Sequence, residues 1–160
     1  MRVSAAAALI LALAAPVRAE HPDLRVIEAV RQGDRAAVGA LLGADADVNA
    51  RQPDGATALH WAIYLDDLET AKLLLHAGAR PDVANELDVT PLYLACENAN
   101  AALVRLLLEA GAAPDVALPS GETALMTAAR TGSAGAVAAL VEHGAAVDTR
   151  ETTEDQTALM

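Results

Sequence analysis

A threonine that opens a T-x-L step recurs at Thr57, Thr90, Thr123 and Thr157, at intervals of 33, 33 and 34 residues. Each one starts the same grammar: ATALHWAIYLDDLETAKLLLHAGARPD, then VTPLYLACENANAALVRLLLEAGAAPD, then ETALMTAARTGSAGAVAALVEHGAAVD. A fixed period of this length means stacked supersecondary units, each burying its apolar face against the next. Such a chain offers an extended side-chain surface rather than one deep pocket. Binding is therefore the leading functional expectation, and an enzyme a distant second.

Two short helices can be read in each period. Leu59, Ala62 and Ile63 fall on one helical face, and Leu68, Ala71, Leu74 and Leu75 on another. Leu92, Ala95 and Cys96, then Val104, Leu107 and Leu108, repeat the pattern. So do Leu125, Ala128 and Ala129, then Val137, Leu140 and Val141. Helices of about ten residues are marginal alone in water, so neighbouring periods must stabilise them. Gly78, Gly111 and Gly144 close the second helix, where a left-handed backbone is cheap for glycine. Pro81 and Pro114 then forbid helix continuation, and Asp54-Gly55 and Ser120-Gly121 mark hairpin-like turns.

Residues 24–52 fit the same frame in degenerate form, with Leu24 in the threonine place. Arg25, Glu28 and Arg31 make their outer side polar, as an amino-terminal capping unit requires. Asp23, after Pro22, is the expected N-cap of its first helix. At the other end Thr157-Ala158-Leu159-Met160 begins a further period. The expectation is that the chain is part of a longer array.

Residues 1–19 read as a cleavable export signal: Arg2, the apolar run 5–15, then Val17-Arg18-Ala19 with the cut after Ala19. The run is shorter than the roughly 20 residues that span a bilayer. The chain from residue 20 onward keeps nine Lys and Arg against 22 Asp and Glu, a formal charge of −13. That charge opposes nucleic-acid binding and docking on anionic lipid. It suits a solvated acidic surface or a basic partner. Cys96 is the single cysteine. It provides no disulfide framework and stands where sister periods carry Ile63 and Ala129, so it reads as a small buried hydrophobe.

TALHWA at 57–62, TPLYLAC at 90–96, TALMTAA at 123–129 and the AGA-x-(P/V)-D stretches resemble ankyrin repeats. The resemblance covers roughly residues 24–160, with several motif positions in phase three times. It implies an all-α repeat, an ankyrin solenoid of helix-turn-helix units with β-hairpin-like fingers. The domain at 20–160 divides into units at 24–52, 53–85, 86–118 and 119–152, with a partial unit at 153–160. Thr57, Thr90 and Thr123 would cap the first helices, and His60 would tie Thr57 to neighbouring backbone. Tyr93, Met126 and Met160 replace that histidine, which implies weaker polar ties between units there. Asp66 and Ala99 replace the glycine of the inter-helix turn, while Gly33 and Gly132 keep it. A non-glycine residue in a left-handed turn costs roughly 1 kcal/mol, and Asn98-Ala99-Asn100 is the turn most exposed to that strain.

The resemblance also implies partner binding at finger tips and at the exposed ends of first helices. Here that gives Pro53, Asp54, Ala56, Tyr64 and Leu65 in one unit, and Glu86, Leu87, Val89, Glu97 and Asn98 in the next. Ser120, Glu122, Arg130 and Thr131 follow, and the capping unit offers Arg31, Gln32 and Arg51. Tyr64, Leu65, Leu87 and Val89 are apolar where a solvated finger would be polar. They read as partner anchors or as packing between fingers. Trp61 reads as inter-helix packing.

No catalytic, cofactor-binding or metal-binding residues are expected. Asp66, Asp67 and Glu69, and Glu151, Glu154 and Asp155, are acidic groups that a hard cation could use. Asp67 and Glu69, however, sit where acids favour a helix dipole without any metal. His21, His60, His76 and His143 are dispersed without zinc-ligand spacing. G-x-S-x-G, Walker-type and G-x-G-x-x-G motifs are absent. The expected function is non-catalytic binding of a protein partner on a concave, acidic surface. The expected protein is monomeric and exported, to the periplasm or outside, with no membrane insertion once the signal is cleaved. The alternative is the amino-terminal recognition part of a longer chain with a catalytic or effector domain.

Overall fold

The computed structural model describes residues 23–148. The export-signal reading at 1–19, His21, the acids at 151–155 and the partial unit at 153–160 lie outside the described residues. Eight helices occur among those described, in four pairs: α1 (Arg25–Arg31) with α2 (Arg35–Gly43), α3 (Ala58–Tyr64) with α4 (Leu68–His76), α5 (Pro91–Glu97) with α6 (Ala101–Glu109), and α7 (Ala124–Arg130) with α8 (Ala134–Glu142). First helices pack on first helices and second on second, so the chain is an all-helical repeat solenoid. The helices have seven and nine residues, shorter than the apolar pattern alone suggests.

Their brevity follows from strong punctuation. Threonine stands at the N-cap of three first helices. Thr90 Oγ1 accepts from the Tyr93 N–H at 3.3 Å, and Thr123 Oγ1 from the Met126 N–H at 3.3 Å. Two residues in the first unit and three in each of the next three then adopt left-handed backbone. Gly33, Asp66, Ala99 and Gly132 turn the chain between helices, with φ of 69°, 59°, 54° and 71°. Asp45, Gly78, Gly111 and Gly144 end the second helix, and Gly55, Asp88 and Gly121 turn the finger. Asp45 and Asp88 fill positions that glycine holds in sister units. Asp34, Asp67 and Asn100 start the second helix, their side chains accepting from its first-turn N–H groups.

The amino-terminal cap differs from expectation. Leu24, not Asp23, is the N-cap of α1. Asp23 stands one residue further out, accepts from the Arg25 N–H at 3.2 Å and pairs with the Arg25 guanidinium at 2.6 Å.

The core is a continuous apolar seam along the stack. Ile63, Leu74, Leu103, Leu107 and Leu140 are fully buried within it. Cys96 is buried there too, and burial pushes its thiol up to about 12. Polar ladders run beside the apolar seam. Asn49 Oδ1 accepts from the Arg80 N–H at 2.9 Å, Asp82 Oδ1 from Ala113 at 2.8 Å and Asp115 Oδ1 from Ala146 at 2.7 Å. Each joins one unit to the next. The fingers are hydrogen-bonded turns without a named strand among the described residues; one isolated bridge joins Ala117 and Thr123. In the first complete finger the Gln52 N–H donates to the Ala56 carbonyl at 2.9 Å, and the Glu86 N–H of the next donates to the Asp54 carbonyl at 2.9 Å. That close approach needs Gly55. A Cβ there would lie 3.1 Å from Asn85 Cα and 3.2 Å from the Glu86 nitrogen, on a backbone with φ of 80°.

Candidate binding face

Fingers and first helices meet at an angle, and between the second and third units that angle holds an open hollow. It measures about 250 Å³ and is lined by Asp54, Ala56, His60, Trp61, Tyr64, Asn85 and Leu94. The repeat register explains the lining. Trp61 of α3 and Leu94 of α5 occupy equivalent places one unit apart, and Tyr64 lies one turn beyond Trp61.

The aromatic pair is held in place from behind. The Trp61 indole N–H donates to Gln52 Oε1 at 2.7 Å. Its ring meets Tyr64 edge-on, with centroids 5.8 Å apart. The Arg31 guanidinium lies 4.7 Å from the ring centroid on the amino-terminal side. Trp61 thus packs against the core and also lines the open face, so sequence reasoning that assigned it to packing saw half of its position. Tyr64 is 63% exposed, Leu65 45% and Leu87 73%. Asp54, Glu86 and Glu97 are exposed as well, while Val89 is half-buried and Ala56 buried.

The base of the hollow is a buried histidine. The Thr57 N–H donates to His60 Nδ1 at 3.2 Å, and Thr57 Oγ1 lies 2.9 Å from the same nitrogen. His60 Nε2 is 3.1 Å from the Val89 carbonyl of the next unit. A carbonyl can only accept, so Nε2 carries the proton and Nδ1 accepts from Thr57. Burial lowers the His60 pKa, which keeps the ring neutral and the arrangement intact.

One seam further along, polar side chains bridge the equivalent positions. The Tyr93 hydroxyl donates to Glu122 Oε2 at 3.2 Å. Thr127 Oγ1 donates to Glu122 Oε1 at 2.8 Å, and Arg130 Nη2 reaches the same oxygen at 3.0 Å. Burial pushes the Glu122 carboxyl up, but these donors and the Arg130 charge outweigh it and hold the group below the usual carboxylate range. Tyr93 therefore makes a polar tie between units by a different route from the histidine it replaces, contrary to the weaker tie expected there. Asn98 and Thr131 also span units: Asn98 Nδ2 donates to the Ile63 carbonyl at 2.8 Å, and Thr131 Oγ1 to the Cys96 carbonyl at 3.2 Å.

Of the sequence-predicted partner residues, the structure gathers Asp54, Ala56 and Tyr64 at the hollow. Leu65 stands at the end of α3, Glu86 and Leu87 at the adjoining finger, and Glu97 and Asn98 at the end of α5. Glu122 and Arg130 lie at the next seam, bonded to each other. Asn85 and Leu94 were missed. Asn85 Oδ1 accepts from the Leu87 and Val89 N–H groups and shapes the finger. Its place one period after Gln52 was the available signal. Among the described residues no group of His, Cys, Asp or Glu is placed to hold a metal ion, and no helix is long and apolar enough to cross a membrane.

Comparison with known proteins places the repeat. A family model described as ankyrin repeats in three copies matches residues 26–117, and a single ankyrin repeat matches residues 120–151. The chain is similar to Neurogenic locus notch homolog protein 1 of Xenopus tropicalis, 40% identical over 70 residues, which is 44% of this chain and 3% of the relative. The human protein of that name is 44% identical over 55 residues, 34% of this chain and 2% of the relative. Protein phosphatase 1 regulatory subunit 27 of Mus musculus is 35% identical over 77 residues, 48% of this chain and 50% of the relative. The match thus spans at most about half the length of these relatives.

Proposed function

The chain belongs to the ankyrin-repeat family, and from that premise we propose that it binds a folded protein partner on the face between its fingers and first helices, centred on the second and third units. Ankyrin repeats are protein-interaction modules, typically non-catalytic, and the regulatory-subunit relative fits such a role. The observation that carries the reading is the exposed Tyr64 on the wall of the Trp61 hollow, with Leu65 exposed at the end of α3 and Leu87 exposed on the next finger. Exposed aromatic side chains beside a hollow are the usual anchors of a binding surface.

The same reading puts the protein, as a monomer, in an exported compartment, the periplasm of a Gram-negative bacterium. The support is the pattern of Arg2, the apolar run and Val17-Arg18-Ala19. Amino-terminal sequencing of the cellular protein should begin at Glu20; a start at Met1 in the cytosolic fraction rejects the export reading.

Affinity capture tests the binding reading. Wild type is compared with a Tyr64→Ala/Leu65→Ala/Leu87→Ala variant that remains helical by circular dichroism. A protein retained by wild type and lost by the variant supports it. Equal retention by both moves the site elsewhere on the stack.

A further inference from the structure

The hollow between the second and third units has a size, a lining and a charge that together select an occupant. Its volume of about 250 Å³ has room for a single side chain. Trp61, Tyr64 and Leu94 supply an apolar wall along which a long aliphatic stem can lie. Aromatic ring faces attract a cation, and Arg31 already sits against Trp61.

The charges around the hollow are unbalanced. Asp54 lines it directly, while Glu86, Asp88 and Glu97 stand exposed on the adjoining finger and helix end. Among the described residues none of these four carboxylates is in an ion pair. The nearby cations are Arg31, Arg51 and, on the Glu97 side, Arg130, which is paired with Glu122 at 3.0 Å. Arg31 faces Glu28 at 3.6 Å, and Arg51 donates to the Ala84 carbonyl at 2.7 Å. Of the three arginines near these four acids, only Arg51 is in no ion pair among the described residues.

We propose that the occupant is a lysine or arginine side chain on an extended, apolar-flanked segment of the partner protein, its stem along Trp61, Tyr64 and Leu94 and its positive end at Asp54. The exposed Leu65 and Leu87 then receive the apolar residues beside it. This deepens the partner-binding reading and rests on it. Such a surface also steers a basic partner toward the site and makes the encounter salt-dependent.

Trp61 is the single tryptophan of the chain and reports on the site by its fluorescence. The full chain is titrated with short extended peptides in which leucine alternates with lysine, glutamine or glutamate. The lysine peptide should give a saturable change that weakens as salt is raised, and the glutamate peptide none. Asp54→Asn/Glu97→Gln should weaken the lysine peptide about fivefold, the size expected of two exposed charge pairs. An asparagine amide in place of the Asp54 carboxylate keeps the oxygen that accepts from the Ala56 N–H at 3.0 Å, so the finger turn is preserved. Glu109→Gln, on the outer helix α6, should leave binding unchanged. A glutamine or glutamate peptide that binds as well as the lysine peptide overturns the inference. So does an unaltered affinity in Asp54→Asn/Glu97→Gln, or no saturable response to the lysine peptide at about 1 mM. The broader reading is judged separately: it survives each of those results if the captured partner is still lost on Tyr64→Ala/Leu65→Ala/Leu87→Ala.

Discussion

Two seams of this stack share one backbone plan and differ in what fills the angle between finger and helix. Between the second and third units the angle is open, with Trp61, Tyr64 and Leu94 on its wall and neutral His60 at its base. Between the third and fourth, Tyr93, Thr127 and Arg130 converge on Glu122 and bridge it. The repeat frame therefore fixes the stacking, while side-chain choice at equivalent positions decides whether a seam is bridged by polar groups or left open. Glu122 occupies the register place of Ala56 and Val89, and Thr127 that of Trp61 and Leu94. There a carboxylate and its donors stand in place of small or apolar groups and bond one unit to the next.

The largest test of the comparison breaks the apolar seam under both joints. Leu107 is fully buried, so Leu107→Ala should cost about 2–5 kcal/mol through the cavity it leaves. Chemical denaturation measures it, and a change below about 1 kcal/mol would contradict stacked-unit packing. Next is the bridged seam alone. Glu122→Ala strands the Tyr93 and Thr127 hydroxyls and should destabilise by about 1–3 kcal/mol, whereas Tyr64→Ala at the open seam should change stability by less than about 1 kcal/mol while weakening the partner. Equal losses from the two variants would erase the distinction between the seams.

The third test uses pH. The folded His60 pKa lies below its ordinary 6.5 because of burial, so the unfolded chain binds the proton more readily. Its contribution is complete above about 6.5 and declines as pH falls below that value. Glu122, held below its ordinary 4.5, contributes stability above that value and loses it as pH falls through the depressed folded pKa. Urea denaturation from pH 8 to 4 should show a His60 component that vanishes in His60→Gln. A slope unchanged by that substitution would mean the open seam is not held by a neutral histidine. The smallest effect is local: Ala99→Gly should relieve a backbone with φ of 54° and raise stability by up to about 1 kcal/mol. A loss of stability would show that the turn carries no strain.

Much of the scaffold was legible because the period is rigid. The threonine caps, the paired apolar faces and the left-handed Asp66 and Ala99 follow from lining up residues one period apart. Asp45 and Asp88 escaped because aspartate substitutes for glycine at a left-handed position without a motif, although their offsets from Gly78 and Gly55 pointed to them. The site was legible only in outline. Exposed Tyr64 and Leu87 could be read as apolar residues in polar places. The Glu122 convergence could not, because it depends on which rotamers of Tyr93, Thr127 and Arg130 meet across a unit boundary. Asn98 was read as a partner-binding residue at an exposed helix end; it is exposed, but its amide also reaches a carbonyl 35 positions away in sequence, a tie the sequence did not indicate.

The central claim is that a partner sits on the open seam. The most direct measurement places a photo-crosslinking amino acid at Tyr64 in one protein and at Leu73, exposed on the second helix α4, in another. Both are irradiated in living cells and their adducts identified by mass spectrometry. The account predicts a specific protein adduct at position 64 and none at position 73. An adduct at 73 with none at 64 would place the partner on the outer helices and contradict it.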